Sequence, residues 1–195
     1  MASKVEICNS ALNMLGANNI TDITEDSKNA RLLNQRYEPI RDAVFRTHQW
    51  NCLIKRVELA QDTDAPTHEY TKQYTLPSDC LRVLRIGGHH DGSSSDLDAG
   101  QQFKIEGRKV ITDEATVFLI YIAKITDVNE YDTLLQETIA ARLAAELCYA
   151  VTSSTSLAKQ LKDSYDEKLR EARFTDATEG TADSLDSSTF INSRY

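Results

Sequence analysis

Apolar residues recur at steps of three and four near both ends of the chain, a spacing that predicts two pairs of amphipathic helices. The first helix is expected over 3–15. Ser3 is its N-cap and Glu6 completes a capping box, while Gly16 suits the left-handed position after the last turn. The second helix is expected to begin at Asp26 or Ser27.

One apolar stripe defines the second helix: Ala30, Leu33, Tyr37, Ile40 and Val44. Pro39 lies inside this pattern and lacks a backbone N–H. We therefore expect a kink in the helix or a break near Glu38. Tyr37 is predicted to be a core residue and Pro39 a hinge.

From Trp50 the apolar period changes to two, which predicts strands. Trp50 is expected to begin the first strand and to anchor the core or a hinge. A hairpin is expected to turn at Glu106-Gly107. The segment around 117–123 is predicted to be a strand that is buried on both sides or packed under helices. The polar, Gly- and Ser-rich segment 87–101 is predicted to be a surface loop. The predicted strands lie within 50–59, 69–77, 81–86, 102–112 and 115–124.

A helical period returns after Asn129. The third helix is expected over 133–151, and its stripe is Leu135, Ile139, Leu143, Leu147 and Ala150, with Leu143 at the centre of the core. The fourth is expected over 156–173, and its stripe is Leu157, Leu161, Tyr165 and Leu169. The segment 175–195 is polar and without period, as in a flexible tail.

The flexible tail nevertheless carries four apolar side chains, namely Leu185, Phe190, Ile191 and Tyr195. Apolar anchors in a solvated segment suggest that it orders on a partner, so these four are predicted interface residues. An unselected terminus is an equally good interpretation.

The order of elements predicts an α+β fold. Neither helical hairpin can bury its apolar stripe alone, so we expect a four-helix bundle built from 1–49 and 130–174. A small antiparallel β subdomain, 50–129, is inserted between the hairpins. The tail 175–195 extends from the bundle.

Composition narrows the classes of function. The formal net charge of −8 over 195 residues argues against a general nucleic-acid-binding surface, which needs a basic face. No apolar run approaches the ~20 residues that span a bilayer, and the start lacks a signal-peptide core, so we expect no membrane association and synthesis in a cytosol. The four cysteines are scattered, which favours buried thiols over disulfides or zinc.

The sequence shows no convincing catalytic motif. His89, His90 and Asp91 form the one local group of metal-type ligands, but they lie in the polar loop without a second pair at ligand spacing. The serines at 93–95 lack a nucleophile-elbow motif, and no phosphate-binding loop is present. We therefore predict no enzymatic activity, no metal and no cofactor.

Three segments together resemble a known family. They are ICNSALNMLG followed by a short polar turn, RLLNQRYEPIRDAVFRTHQWNC leading into a strand, and YTLPSDCLRVLRI. Their content, order and spacing are similar to the tail tubular protein A family, the head–tail adaptors of short-tailed bacteriophages. The resemblance covers residues 3 to about 173.

The resemblance implies a virion structural protein, made in the host cytoplasm. Such adaptors form a ring, expected to hold twelve copies, between the portal protein and the tail nozzle. Genomic DNA passes through the lumen without sequence-specific binding, and an acidic chain suits the wall of such a channel. The helices would face the portal and neighbouring subunits, and the strands would face the nozzle.

Two other hypotheses belong to different classes. One is a soluble non-enzymatic module that binds or scaffolds a cellular partner through the fourth helix and the tail. The other is an enzyme, for example a hydrolase that uses His89 or His90.

Overall fold

The structure, a computed structural model, describes residues 3–87 and 102–179. It combines four helices with two small antiparallel sheets, so the fold is mixed α and β as the sequence predicts. The helices are α1 (Lys4–Met14), α2 (Lys28–Phe45), α3 (Thr133–Thr152) and α4 (Thr155–Thr178). The strands are β1 (Ile54–Leu59), β2 (Lys72–Thr75), β3 (Cys80–Gly87), β4 (Phe103–Glu106), β5 (Lys109–Thr112) and β6 (Val117–Ala123).

The first helix begins and ends with the predicted signals. The Ser3 side chain accepts a hydrogen bond from the backbone N–H of Glu6, and the Glu6 carboxylate accepts one from Ser3, which completes the capping box. Gly16 follows the C-cap with φ +64°, a conformation that favours glycine.

Helix α2 runs without interruption through Pro39, so of the two predicted outcomes, a kink or a break near Glu38, the break is wrong. Proline has no backbone N–H, so the carbonyl oxygen of Gln35 loses the hydrogen bond that it would otherwise accept from position 39. Both Pro39 and Gln35 lie on the exposed face of the helix. Water can therefore satisfy that carbonyl, and the buried stripe keeps the helix continuous.

The six strands form two sheets of three. The first has the order β1-β6-β3 and the second the order β2-β5-β4, with all pairs antiparallel. Trp50 does not begin a strand, because a short 3-10 turn, Asn51–Leu53, separates it from β1. The hairpin between β4 and β5 turns at Gly107-Arg108, one residue later than predicted. Both residues have positive φ, as a two-residue hairpin turn requires.

Helix α3 packs against each of the other three helices. Its stripe is buried at Leu135, Ile139, Leu143 and Leu147, but Ala150 is exposed, contrary to the prediction. Ala150 lies in the last turn of α3, beyond the packed part of the helix. There its carbonyl oxygen accepts a bond from Lys28 Nζ at 2.6 Å.

Helix α4 ends at Thr178, five residues beyond the predicted Arg173. One buried side chain in the extra length, Asp176, explains why it continues. Residues 175–178 therefore belong to the helix and not to the tail. At the other end of α4 the stripe is only half-buried, at Leu157 and Leu161.

Buried residues of all four helices and of both sheets belong to one hydrophobic cluster. The strand β6 lies at the centre of the first sheet and contributes Val117, Leu119 and Ile122, which have no measurable exposure. All four cysteines are free thiols. Among the helices of residues 3–87 and 102–179, none is long and apolar enough to cross a membrane.

Candidate functional site

The most elaborate polar cluster lies where the end of α2, the link to β1 and the end of α4 meet. We call this cluster the corner and define it by His48, Trp50, Asn51, Arg173 and Asp176. Trp50 is fully buried there, and its indole Nε1 donates a hydrogen bond to the carbonyl oxygen of Val44 at 3.2 Å. The predicted core or hinge anchor thus fastens the end of α2 to the start of the β region.

Asp176 joins α4 to that link. Its side chain is 6% exposed, and Oδ1 accepts a bond from the backbone N–H of Asn51 at 3.0 Å. The Asn51 amide returns a bond from Nδ2 to the Asp176 carbonyl oxygen at 2.7 Å. This pair of bonds spans 125 positions of the chain and fixes the end of α4 beside the first sheet.

Two basic side chains complete the corner. Arg173 Nη2 donates to the carbonyl oxygen of Thr47 at 2.8 Å, while its Nε is buried without a hydrogen-bond partner. His48 Nε2 lies 3.2 Å from Asp176 Oδ2, close enough for an ion pair when protonated. The contact lacks the alignment of a hydrogen bond. The His48 ring also meets the Trp50 ring edge-on, with centroids 5.0 Å apart.

Burial lowers the pKa of His48 below its usual value of 6.5. The positive charges of Arg173 and Arg82 lower it as well, whereas Asp176 opposes the shift. His48 is therefore mainly neutral at pH 7. Burial also raises the pKa of the neighbouring Cys52 thiol, which keeps that thiol protonated at neutral pH. A protonated thiol is a poor nucleophile, so the corner favours a structural joint over a reactive centre.

A pH dependence follows from the lowered pKa of His48. Below about pH 6.5 the unfolded chain binds a proton at His48 before the folded chain does. The free energy of unfolding should therefore decrease as the pH falls from 6.5 toward the folded pKa. We expect His48→Gln to flatten this part of the profile between about pH 7 and 5.5 in urea titrations. His68→Gln, at an exposed position, is the control. Equal slopes for both variants would contradict the assignment.

The predicted interface residues Leu185, Phe190, Ile191 and Tyr195 lie outside the described residues, as do His89, His90 and Asp91. The predicted core residues Tyr37 and Leu143 are 1% and 0% exposed. The Tyr37 hydroxyl is buried without a hydrogen-bond partner, and burial raises its pKa above the usual value for tyrosine. Pro39 is exposed on α2.

Two exposed aromatic side chains mark opposite ends of the α3–α4 hairpin. Tyr149, which is 64% exposed, lies in the last turn of α3. The half-buried Leu157 and Leu161 lie in the first two turns of α4, at the same end of the hairpin. Phe174, which is 73% exposed, lies near the end of α4. Twenty helical residues separate Ser154 from Phe174, so about 30 Å lies between the two ends. Both are candidate contact surfaces.

An open groove of about 500 Å³ crosses the second sheet and is lined in part by His68, Glu106 and Lys109. Lys109 forms an ion pair with Asp62 at 3.0 Å, so its charge is already compensated. Within residues 3–87 and 102–179, no three His, Cys, Asp or Glu side chains are grouped so as to hold a metal ion.

The three segments that carry the family resemblance each fix a junction of the fold. In the first, the Asn9 amide donates to the Ile20 carbonyl and accepts from the Ile20 N–H at 2.9 and 2.8 Å. In the second, Trp50 closes the corner. In the third, Asp79 accepts a bond from the Tyr121 hydroxyl at 3.1 Å.

The sequence reasoning missed the corner and both exposed aromatic residues. Asp176 was assigned to the tail, and nothing in the local pattern links it to Asn51. Phe174 offered the one local signal, an aromatic residue directly after a highly charged stretch of helix. No protein-family model matches the chain, and no curated protein matches it either.

Proposed function

We propose that the protein is a non-enzymatic structural subunit of a short-tailed phage virion. In this proposal it forms a ring, with twelve copies expected, that joins the portal protein to the tail nozzle and surrounds the path of the DNA. The four helices act as one bundle, and the strands form a subdomain inserted into it. The family resemblance of three ordered segments is the starting point.

The observation that carries the proposal is the pair of exposed aromatic surfaces. A ring is built from heterologous contacts, in which one surface of a subunit meets a different surface of the next. Tyr149 and Phe174 lie toward opposite ends of one hairpin, in which α4 extends about 30 Å from Ser154 to Phe174. Large exposed aromatic side chains are enriched at protein interfaces, where burying them excludes water.

Charge supports the same assignment. A formal net charge of −8 repels the phosphate backbone, so DNA can pass such a subunit without adhering to it. The apolar residues of 180–195, including Phe190 and Ile191, supply anchors for the portal in this proposal.

The decisive experiment is negative-stain microscopy with mass determination, on the protein alone and with the portal ring from the same phage. We expect a ring that caps the portal. Tyr149→Glu and Phe174→Glu should each disrupt this ring because each places a charge in a subunit contact, while leaving the folded monomer intact. Lys159→Glu, at an exposed position of α4, is the control for an added negative charge.

The truncation 1–179 should still fold but bind the portal more weakly. A monomer that ignores the portal at every concentration would contradict the adaptor function. That result would favour the partner-binding module, for which the exposed Phe174 on α4 is the specific support.

A further inference from the structure

We infer that two copies of the chain pair through the outer edges of their β1 strands, antiparallel and with Val57 opposite its own copy. The pairing joins the first sheets of the two copies into one sheet of six strands. A two-fold contact of this kind closes after two copies, so it belongs to the free protein and is distinct from the contacts of a ring. The inference does not rest on the adaptor function.

The outer edge of β1 is open for pairing. Strand β1 lies at one edge of the first sheet and has β6 on its inner side. Apart from the ladder to β6, no backbone group of residues 55–59 forms a hydrogen bond with any other residue in 3–87 or 102–179. Alternate residues of a strand direct their N–H and C=O groups to each side, so about half of these groups face outward. Such an edge is a template for another strand.

The opposite edge of the same sheet, β3, is protected. Its register against β6 shifts twice, the first time between Cys80 and Arg82. Bulges twist an edge and disturb the regular spacing that a partner strand needs. The Arg46 side chain also donates a hydrogen bond to the carbonyl oxygen of Leu81 in β3, at 2.5 Å. In contrast, β1 pairs with β6 residue by residue over its whole length, so its outer edge is regular.

Val57 lies on the inner side of the first sheet but is not covered. Its partner in β6 is Leu119, which has no measurable exposure and belongs to the hydrophobic core. Val57 itself is 36% exposed, because the sheet ends at β1. A second β1 strand would place another Val57 directly opposite, with the two Cβ atoms about 4.5–5.5 Å apart. Each valine would then cover the other.

Two-fold symmetry selects the register of this pairing. When two identical strands pair antiparallel with the same side of the sheet facing the core, one residue lies opposite its own copy. The four central residues of β1 are Lys55, Arg56, Val57 and Glu58. A register centred on any of the three charged residues would oppose like charges, which is destabilising. Val57 is the uncharged residue of the four, so the favourable register is centred there.

The same register brings opposite charges together. It places Arg56 opposite Glu58 of the second copy, and Glu58 opposite Arg56 of the second copy. Both side chains are exposed, and neither forms an ion pair within residues 3–87 and 102–179. Opposite charges directly across a strand pair are stabilising. Lys55 already forms an ion pair with Asp79 at 3.2 Å, so its charge is compensated as well.

Strand β4 is a second edge with an exposed aliphatic residue between opposite charges. Ile105, which is 48% exposed, lies between Lys104 and Glu106. This strand has four residues where β1 has six, and Lys104 is already paired with Glu69. The pairing is therefore assigned to β1, and Ile105 serves as the matched control position.

Sedimentation equilibrium of the full chain, without the portal, tests the contact. A strand pair of this length is smaller than a standard interface, so we expect a weak dimer with a Kd of about 10–100 μM. Arg56→Glu and Glu58→Arg should each raise this Kd about 10-fold or more, because each opposes like charges twice across the two-fold axis. The double variant Arg56→Glu/Glu58→Arg should restore the dimer, because the charges are exchanged but still complementary.

Two kinds of control accompany these variants. Lys159→Glu and Glu167→Arg make the same changes in net charge at exposed positions of α4 and should leave the Kd unchanged. Val57→Asp should abolish the dimer because it opposes two carboxylates, whereas Ile105→Asp should not. Thermal unfolding followed by circular dichroism shows that each variant is folded.

Val57→Cys tests the register without relying on lost binding. Directly opposed residues of an antiparallel pair have Cα atoms about 4.5–5.5 Å apart, within the range that a disulfide bridges. Oxidised glutathione should therefore join two copies of this variant covalently. The wild-type protein, with its four free thiols, and the Ile105→Cys variant should remain single chains under the same treatment.

Three results would overturn the inference. The first is a monomer at every concentration up to about 500 μM, well above the expected Kd. The second is a dimer that survives both single charge reversals. The third is a disulfide that forms between Val57→Cys and Ile105→Cys chains in a mixture, which would assign the contact to β1 of one copy and β4 of another. The portal is absent throughout, so failure here is distinct from failure of the adaptor function.

Discussion

Leu143→Asp is expected to unfold the protein. Leu143 lies in the middle of α3, the helix that contacts the other three, and it has no exposed surface. An aspartate there must either hold an unpaired charge in an apolar core or take up a proton. Either alternative costs several kcal/mol, about 4 or more, against a total stability of about 5–15 kcal/mol. Circular dichroism at 25 °C should show lost helix and no cooperative melting.

Tyr149→Asp is the matched control for Leu143→Asp. It introduces the same side chain on the same helix, but at a position that is 64% exposed. Surface substitutions of this kind usually change stability by less than about 0.5 kcal/mol. A normal melting curve for Leu143→Asp would show that the apolar stripe of α3 is not the core of the protein.

Trp50→Ala is expected to destabilise the protein by about 3–5 kcal/mol, because it opens a cavity at a fully buried site. The substitution also removes the hydrogen bond to the Val44 carbonyl and the edge-on contact with the His48 ring. For a chain of this length the midpoint of thermal unfolding should fall by about 8–15 °C.

Phe174→Ala tests the same kind of truncation at an aromatic residue that is 73% exposed. Its melting temperature should match that of the wild-type protein within about 2 °C. Equal effects of the two substitutions would mean that the corner is not a structural joint.

The regular elements could be predicted from the sequence because their signals are local. The capping box of Ser3 and Glu6, and the four-residue spacing around Leu143, depend only on nearby positions along one helix. The predictions failed where a distant group changes the balance. Helix α4 continues to Thr178 because Asp176 accepts a hydrogen bond from the backbone N–H of Asn51, which is 125 positions away.

The candidate site depended on tertiary structure almost entirely. The side chains of the corner come from two segments that are about 125 positions apart. The pattern of polar and apolar residues in one segment does not indicate that it contacts the other. The alignment of β3 likewise depends on two bulges that set its register against β6. A bulge adds one residue to one strand, and its position is decided by cross-strand packing, not by the local pattern of polar and apolar residues.

The sequence by itself determined the order and type of the elements, the buried stripes of the helices and the acidic charge. These properties follow from periodicity, caps and composition. Periodicity and caps depend on residues a few positions apart, and composition is a sum over the chain, so none of them depends on contacts between distant segments. Only the tertiary structure decided that the strands form two sheets, that α2 passes through Pro39, and that His48, Asn51 and Asp176 meet. These outcomes depend on contacts between distant segments, whose energies compete with local preferences and here outweigh them.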